Sequence, residues 1–399
     1  MPFYWRLGKL PPKRHMAFER PDGNLYIEQL MGREGFSGLA SLLYHYHNPT
    51  ASFKVTPEGE ERLEPWIEEV HRHHHLDTSK LEPGGHPIRD RVWLMFNEDV
   101  AIGVAAPTES FAENEFYRNG SADEVWFVHS GEGVVKTIMG DLPFRPGDYI
   151  IIPQHITWQM VLEGEGPHRF MILESQGQVL PPKRYRNQFG QLLEHAPYSE
   201  RDFHPPTELN PVLDGKGEYK VVVKVGPKLT GYWFEFHPFD VVGWDGYYFP
   251  YTFNITDFEP RVGRYHMPPP THQHFEGRGY VYCSFCPRPW DFGEKAVPVP
   301  YNHANVDSDE VLYYWKGSFM SRPHIREFSF TLHPRGIPHG PVPGIAEKSL
   351  SFDWAKGTDE YAPMIDTFRP LKLTVQAKQF DNPDYATHWA GYERERNGG

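Results

Sequence analysis

The stretch NGSADEVWFVHSGEGVVKTIMGDLPFRPGDYIIIPQHITWQM, residues 119–160, carries the pattern from which the fold is read. A polar loop leads into an apolar run headed by Glu124, and the Gly-rich turn SGEG at 130–133 breaks it. The turn RPGD at 145–148 then delivers a second run, YIII, which ends in Pro153 and His155. Short apolar runs bounded by Gly and Pro turns are the signature of strands. The same layout returns at 300–344, where Glu310 stands seven residues before Gly317 just as Glu124 stands seven before Gly131.

A repeated unit of this kind resembles the cupin, a small double-stranded β-helix or jelly roll. The expected fold class is therefore all-β: a bicupin with few short helices. Further strands are expected at 125–129, 133–137, 148–152, 168–173, 218–225, 279–285, 310–315 and 327–332, with turns such as PRG at 334–336 between them. Helical spacing is confined to Gly38–Leu43 and Glu60–His71. The length of 399 residues suits two domains. We place the boundary near 254, giving a first domain over 1–254 and a catalytic cupin over 255–399. In the first copy Asn119 and Ser121 occupy positions where cupin histidines are expected, with Glu124 and His155 remaining, so this half is expected to be metal-free.

Composition excludes some functions. The net charge of −13 argues against a nucleic-acid or anionic-membrane partner. The longest apolar runs are too short to span a bilayer, and MPFYWRLGKLPPKRH has no apolar core for secretion, so a cytoplasmic protein is expected. Cys283 and Cys286 in VYCSFCPRPW read as two small buried thiols rather than a redox pair. The exposed edges of cupin sheets and the aromatic surplus, 15% of the chain, point to a homo-oligomer.

The second copy carries the chemistry. YNHANVDSDEVLYYWKG at 301–317 and TLHPRGIPHGP at 331–341 bring His303, Glu310, His333 and His339 to turn-to-strand junctions of one β pattern. Two imidazoles and a carboxylate can cap one face of an octahedral Fe(II) and leave positions open. His303, Glu310 and His339 are the expected ligands. Glu310 heads the apolar strand VLYYW, while Asp307 and Asp309 read as turn residues, with Asp309 kept as a rival ligand. Among other histidines, HRHHHLD at 71–77 reads as a solvated polar face. His45 and His47 alternate on one strand face without a role being decided. His266, His272 and His274 lie on a Pro-stiffened loop, and at least one of them is expected to face a substrate.

The chain resembles the homogentisate 1,2-dioxygenase family, particularly its shorter bacterial forms, in GNLYIEQLMG at 23–32, FDVVGWDGYYFPYTFNI at 239–255, PYNHANVDSDEVLYY and TLHPRGIPHGP. The resemblance runs over most of the chain. It implies Fe(II) held by His303, Glu310 and His339, and oxygenolytic opening of homogentisate with O₂ to maleylacetoacetate in tyrosine and phenylalanine breakdown. It further implies His266 as the base at the ring hydroxyl, His333 beside the substrate and the reacting oxygen, and Tyr301 in the pocket. Two departures stand out. One residue more separates His303 from Glu310 than in the longer eukaryotic pattern, and Phe319 stands where that pattern has a substrate-contacting Tyr. Arg322, Arg326 and Arg335 are the candidates for meeting the substrate carboxylate. Two other readings stay open: a ring-cleaving enzyme for gentisate or another hydroquinone, and a non-enzymatic bicupin that binds or stores a ligand.

Overall fold

The computed structural model describes residues 3–319 and 325–396 and is built almost wholly from strands. Its described α-helices are two short ones, Ile345–Ser349 and His388–Arg396. None of its helices is long and apolar enough to cross a membrane. The chain forms two compact units. One comprises Met1–Arg62, Pro83–Arg91 and Ala105–Asn254, and the other Leu63–Glu82, Val92–Val104 and Ile255–Gly399. The second unit thus combines residues 255–399 with two segments, 63–82 and 92–104, that lie within the 1–254 span expected for the first domain. Residues 63–82 supply an edge strand, His74–Leu76, to a sheet whose other strands all begin at Gln273 or later in the sequence. No local pattern announces such a partner.

In the first unit, Asp123–Ser130 pairs antiparallel with Asp148–Ile152 and Arg169–Ser175, and Tyr251–Asn254 extends the sheet. A second sheet runs in the order Gly140–Phe144, Glu132–Thr137, Thr157–Glu163, Glu115–Asn119, Lys216–Val225, Lys228–Phe236 and Lys54–Glu60. Trp126 of the first sheet meets Trp158 of the second edge-to-face at 5.8 Å, and both are fully buried, so the two sheets close on an aromatic core. The RPGD turn behaves as its residues dictate. The Asp148 carboxylate accepts the amide of Arg145 at 2.8 Å, and Gly147 takes φ +88°, where a side chain would be strained.

Both expected helices are absent. Gly38–Leu43 lies within the strand Ser37–His45, which finds partners on both sides in Ile27–Glu34 and Val241–Gly246. A six-residue helix could not recover its nucleation cost against two such ladders. The Glu60–His71 segment starts as the end of the strand Lys54–Glu60. It then contains Pro65, which makes an isolated bridge to Thr374.

The positions where the first copy would carry a metal hold a buried ionic cluster instead. Arg91 clamps Glu61 with two bonds of 2.8 Å and reaches Glu124 at 3.2 Å and Glu174 at 3.1 Å. Asn119 donates to Glu124 and Glu174, and Lys224 adds bonds of 2.7 Å to both oxygens of Glu174. Ser121 is taken up by the amide of Gly226. Three carboxylates face two cations, and burial together with the neighbouring Glu174 outweighs Arg91 and pushes Glu124 above the usual carboxylate range. Removing a shared partner from such a cluster strands charges in a low dielectric. Arg91→Met should therefore cost about 3–5 kcal/mol, read as a lower urea midpoint; a midpoint within error of the parent would mean that the cluster is not structural.

Candidate metal centre and its cavity

The second unit is organised by one antiparallel sheet in the order Gln273–Gly277, Tyr280–Phe285, Ala362–Thr367, Asp309–Tyr314, Ser329–His333 and His74–Leu76. Glu310 pairs directly with His333 on one neighbour and with Asp366 on the other. Residues opposite one another share a sheet face, so His333, Glu310 and Asp366 form one row across three strands. Asp309, one position earlier, points to the other face. Its carboxylate accepts the amide and Nε of Arg335 and the amide of Leu371. The spacing ambiguity between Asp309 and Glu310 thus resolves by strand period.

His303 and His339 come from loops that pair with each other. Each amide donates to the other's carbonyl at 2.8 Å, which sets the two rings 4.2 Å apart. Gly340 is needed beside them, because a Cβ there would lie 2.0 Å from Asn302 Oδ1. His303 Nε2 lies 3.4 Å from Glu310 Oε2, and His339 Nε2 3.2 Å from Oε1. One donor atom from each of His303, Glu310 and His339 falls within 4.8 Å of the others. Burial alone would raise Glu310, but hydrogen bonds with His303, His333 and His339 outweigh it and hold the carboxyl well below its ordinary range.

These residues fit a metal. His339 Nδ1 is buried without a partner and Nε2 has only the Glu310 carboxylate near it at 3.2 Å, so a cation shared with Glu310 would satisfy a ring that the protein leaves poorly partnered. Two imidazoles with one hard oxygen suit a borderline divalent ion such as Fe(II). His333 is different. Its Nδ1 is 2.9 Å from Glu310 Oε1 and its Nε2 is 3.0 Å from the Tyr385 hydroxyl, with the ring fully buried. It is not among the residues lining the cavity; it sits behind Glu310 with both nitrogens engaged, a position from which it can orient the carboxylate. The HRHHHLD reading is corrected. His73, His74 and His75 are buried, with His74 held between Asp381 and Glu68 at 3.0 Å each and His73 packed edge-on to His333. Only His71 of the cluster is exposed.

The triad opens into a cavity of about 330 Å³. His266, His272, Tyr301 and Phe319 also line it. His266 Nδ1 stands 3.4 Å from Asp291, and the ring packs edge-on to Tyr301 at 5.3 Å. His272 is held neutral, its pKa pushed down to about 3 by burial and then by Arg288 and His266. His274 does not line the cavity; it stacks on Phe275 with Nδ1 2.9 Å from the Ser284 hydroxyl. Of the arginines proposed for a substrate carboxylate, Arg335 is taken by Asp309, Arg326 is absent from the cavity wall, and Arg322 lies outside the described residues. Arg261 and Arg288 line the cavity in their place. Elsewhere, Cys283 and Cys286 are buried free thiols, and Cys286 donates to the carbonyl of Ile255.

Comparison with known proteins places the chain in a family. Residues 94–255 match the family model described as the N-terminal region of homogentisate 1,2-dioxygenase. Over 391 residues the chain is 38% identical to a protein of Saccharolobus solfataricus provisionally named a dioxygenase, covering 98% of this chain and 99% of that one. The homogentisate 1,2-dioxygenase of Rhodopseudomonas palustris strain BisA53 is 26% identical over 310 residues, covering 74% of this chain and 67% of that one. The chain belongs to the homogentisate dioxygenase family. Among solved structures, a cupin 2 conserved barrel protein from Leptotrichia buccalis aligns over 75% of this chain and 99% of that one, with 9% identity and a TM-score of 0.33.

Three residues of this family member's site escaped sequence reading: Tyr385 behind His333, Arg288, and Asp366. Asp366 lines the cavity, its Oδ1 is buried without a partner, and burial and then the charge of Glu310 push its pKa up to about 8. A carboxyl raised from 3.8 to about 8 weakens the metal-free fold progressively as pH rises through that window, because the unfolded chain sheds the proton first. Asp366→Asn should therefore raise the melting temperature of the metal-free protein by a few degrees at pH 8 and much less at pH 5. An equal gain at both pH values, measured by calorimetry, would show that the acid is not held protonated.

Proposed function

We propose that this chain is an Fe(II)-dependent dioxygenase that opens the ring of homogentisate with O₂ to give maleylacetoacetate, both oxygen atoms entering the product. The observation that carries this reading is the convergence of His303, Glu310 and His339 on a cavity of about 330 Å³, the size of a small aromatic ligand and walled by aromatic side chains. These three residues would hold the iron. When bound, it supplies the electron-transfer chemistry that lets ground-state dioxygen react with an electron-rich ring.

The protein's own groups do the remainder. His266 takes the proton of a ring hydroxyl, and its Asp291 neighbour stabilises the imidazolium that results. His333 holds Glu310 in place from behind, with Tyr385 fixing the tautomer of His333. Tyr301 packs between His266 and His303 and aligns the base with the metal site. Phe319, packed on Tyr314 at 4.7 Å, gives the ring an apolar wall where a hydroxyl would otherwise be offered.

The test is oxygen uptake by protein loaded anaerobically with Fe(II), mixed with homogentisate and then exposed to air, together with the ultraviolet absorbance of the ring-opened product. Stoichiometric uptake with product is expected; uptake with gentisate instead would move the assignment to that acid. In the same assay Glu310→Ala should lose most of its iron. His266→Ala should keep its iron and lose about 10²–10⁴-fold in kcat; a full complement of iron in the first variant, or loss of iron in the second, would reverse the assigned roles.

A further inference from the structure

An anionic substrate entering this cavity meets Glu310, Asp366, Asp291 and Glu360 on its walls. A carboxylate held there needs a cation with hydrogen-bond donors to spare. Arg288 lines the wall, and its ion pair with Glu360 is a long one that leaves such donors. Its backbone is pinned on both sides by Thr358, whose amide donates to the Arg288 carbonyl at 2.8 Å and whose hydroxyl accepts the Arg288 amide at 3.3 Å. Its guanidinium is largely buried, with 18% of the side chain exposed. One donor goes to the carbonyl of Cys286 at 3.1 Å, and the group ion-pairs with Glu360 at 3.7 Å, a separation too long for a hydrogen bond. A guanidinium has five N–H donors in a planar fork that matches a carboxylate, and most of this fork is uncommitted.

His272 stands beside it. The Phe285 ring lies 4.8 Å from the His272 ring and 5.7 Å from the Arg288 guanidinium carbon, so one aromatic face supports both. His272 lines the same cavity, is 8% exposed, and has a buried Nδ1 with no partner.

We propose that Arg288, flanked by the neutral ring of His272, is the seat of the substrate's side-chain carboxylate, so that the cavity selects dihydroxylated aromatic acids over neutral dihydroxylated rings. This rests on the reading that the ring is held at the His303–Glu310–His339 centre. It transfers the carboxylate contact from the arginines near the ligand strands to the segment that follows Phe285.

The experiment uses the Fe(II)-loaded protein under anaerobic conditions, titrated calorimetrically with homogentisate and with its neutral methyl ester, and in parallel with phenylacetate and phenylacetamide. The parent should favour each acid over its neutral partner by about 10- to 100-fold, the range of a charge-assisted paired hydrogen bond. Arg288→Met should abolish that preference with iron content unchanged, and raise KM for homogentisate far more than it lowers kcat. Arg288→Lys, which keeps the charge and loses the fork, should retain only part of the preference and serves if the Met variant does not fold. An undiminished preference in the variants, or equal losses for acid and neutral ligand, would overturn the proposal. Because phenylacetate has no hydroxyls to oxidise, its arm reads the seat even if homogentisate proves not to be turned over.

Discussion

The lateral register of three strands is the constraint on which the site depends. Pairing Glu310 with His333 on one side and Asp366 on the other places a hydrogen-bonding support and a second acid in line with the one carboxylate that reaches the two loop histidines. A slip of one residue would turn Asp309 inward and send Glu310 towards Arg335, exchanging a site carboxylate for a structural one. Arg335 and the Leu371 amide hold Asp309 on the far face, and so they guard the register from the side away from the chemistry. The same alignment has an electrostatic cost. Glu310 and Asp366 are neighbours in a poorly solvated cavity, and one is kept ionised by its histidines while the other is driven towards its protonated form.

The two repeats meet the same problem, a buried glutamate at the head of a strand, in opposite ways. Around Glu124 the donors are Arg91 and Asn119, groups that cannot give up a proton or exchange it for a metal near neutral pH. Around Glu310 they are imidazoles, which can do both. The first cluster is closed by protein on every named side and stiffens its sandwich. The second opens into a cavity. The two glutamates therefore sit in a structural ionic core and in a chemically open centre, and the side chains around each set the difference.

What the sequence made legible follows from how local each signal is. The RPGD turn, the eight strand segments and the His303–Glu310–His339 set could be read because each carries its cause within a few residues: a glycine at positive φ, an apolar run, a histidine beside a turn. His73, His74 and His75 were misjudged because burial there depends on pairing with residues 330–332, and a run of polar residues looks solvated until that partner is known. Gly38–Leu43 was misjudged for a similar reason, since two flanking strands outweigh weak helical spacing. Asp366 sits in the ordinary strand APMIDT, and Tyr385 in a short helical turn near the C-terminal end; neither neighbourhood carries a mark of chemistry. That His333 reaches Glu310 and Tyr385 was not legible either, because sequence gives proximity along the chain and not the direction of a side chain.

The cavity's charge pattern joins these strands of reasoning. The chain is acidic overall, and the cavity walls carry four carboxylates, so its field does not draw in an organic acid unaided. Selectivity must come from fixed positive charge at defined points. A cation held between His303, Glu310 and His339 would mark one such point, and the proposed seat at Arg288 would mark another on a separate segment of the wall. Between them stand apolar surfaces, Phe285 and Phe319 among them, that suit the faces of a ring and leave its polar substituents to the two poles. A molecule carrying hydroxyls at one end and a carboxylate at the other engages both poles and is held in a single orientation. One that lacks either group keeps a degree of rotational freedom, which costs alignment with the base at His266 and therefore rate as well as affinity.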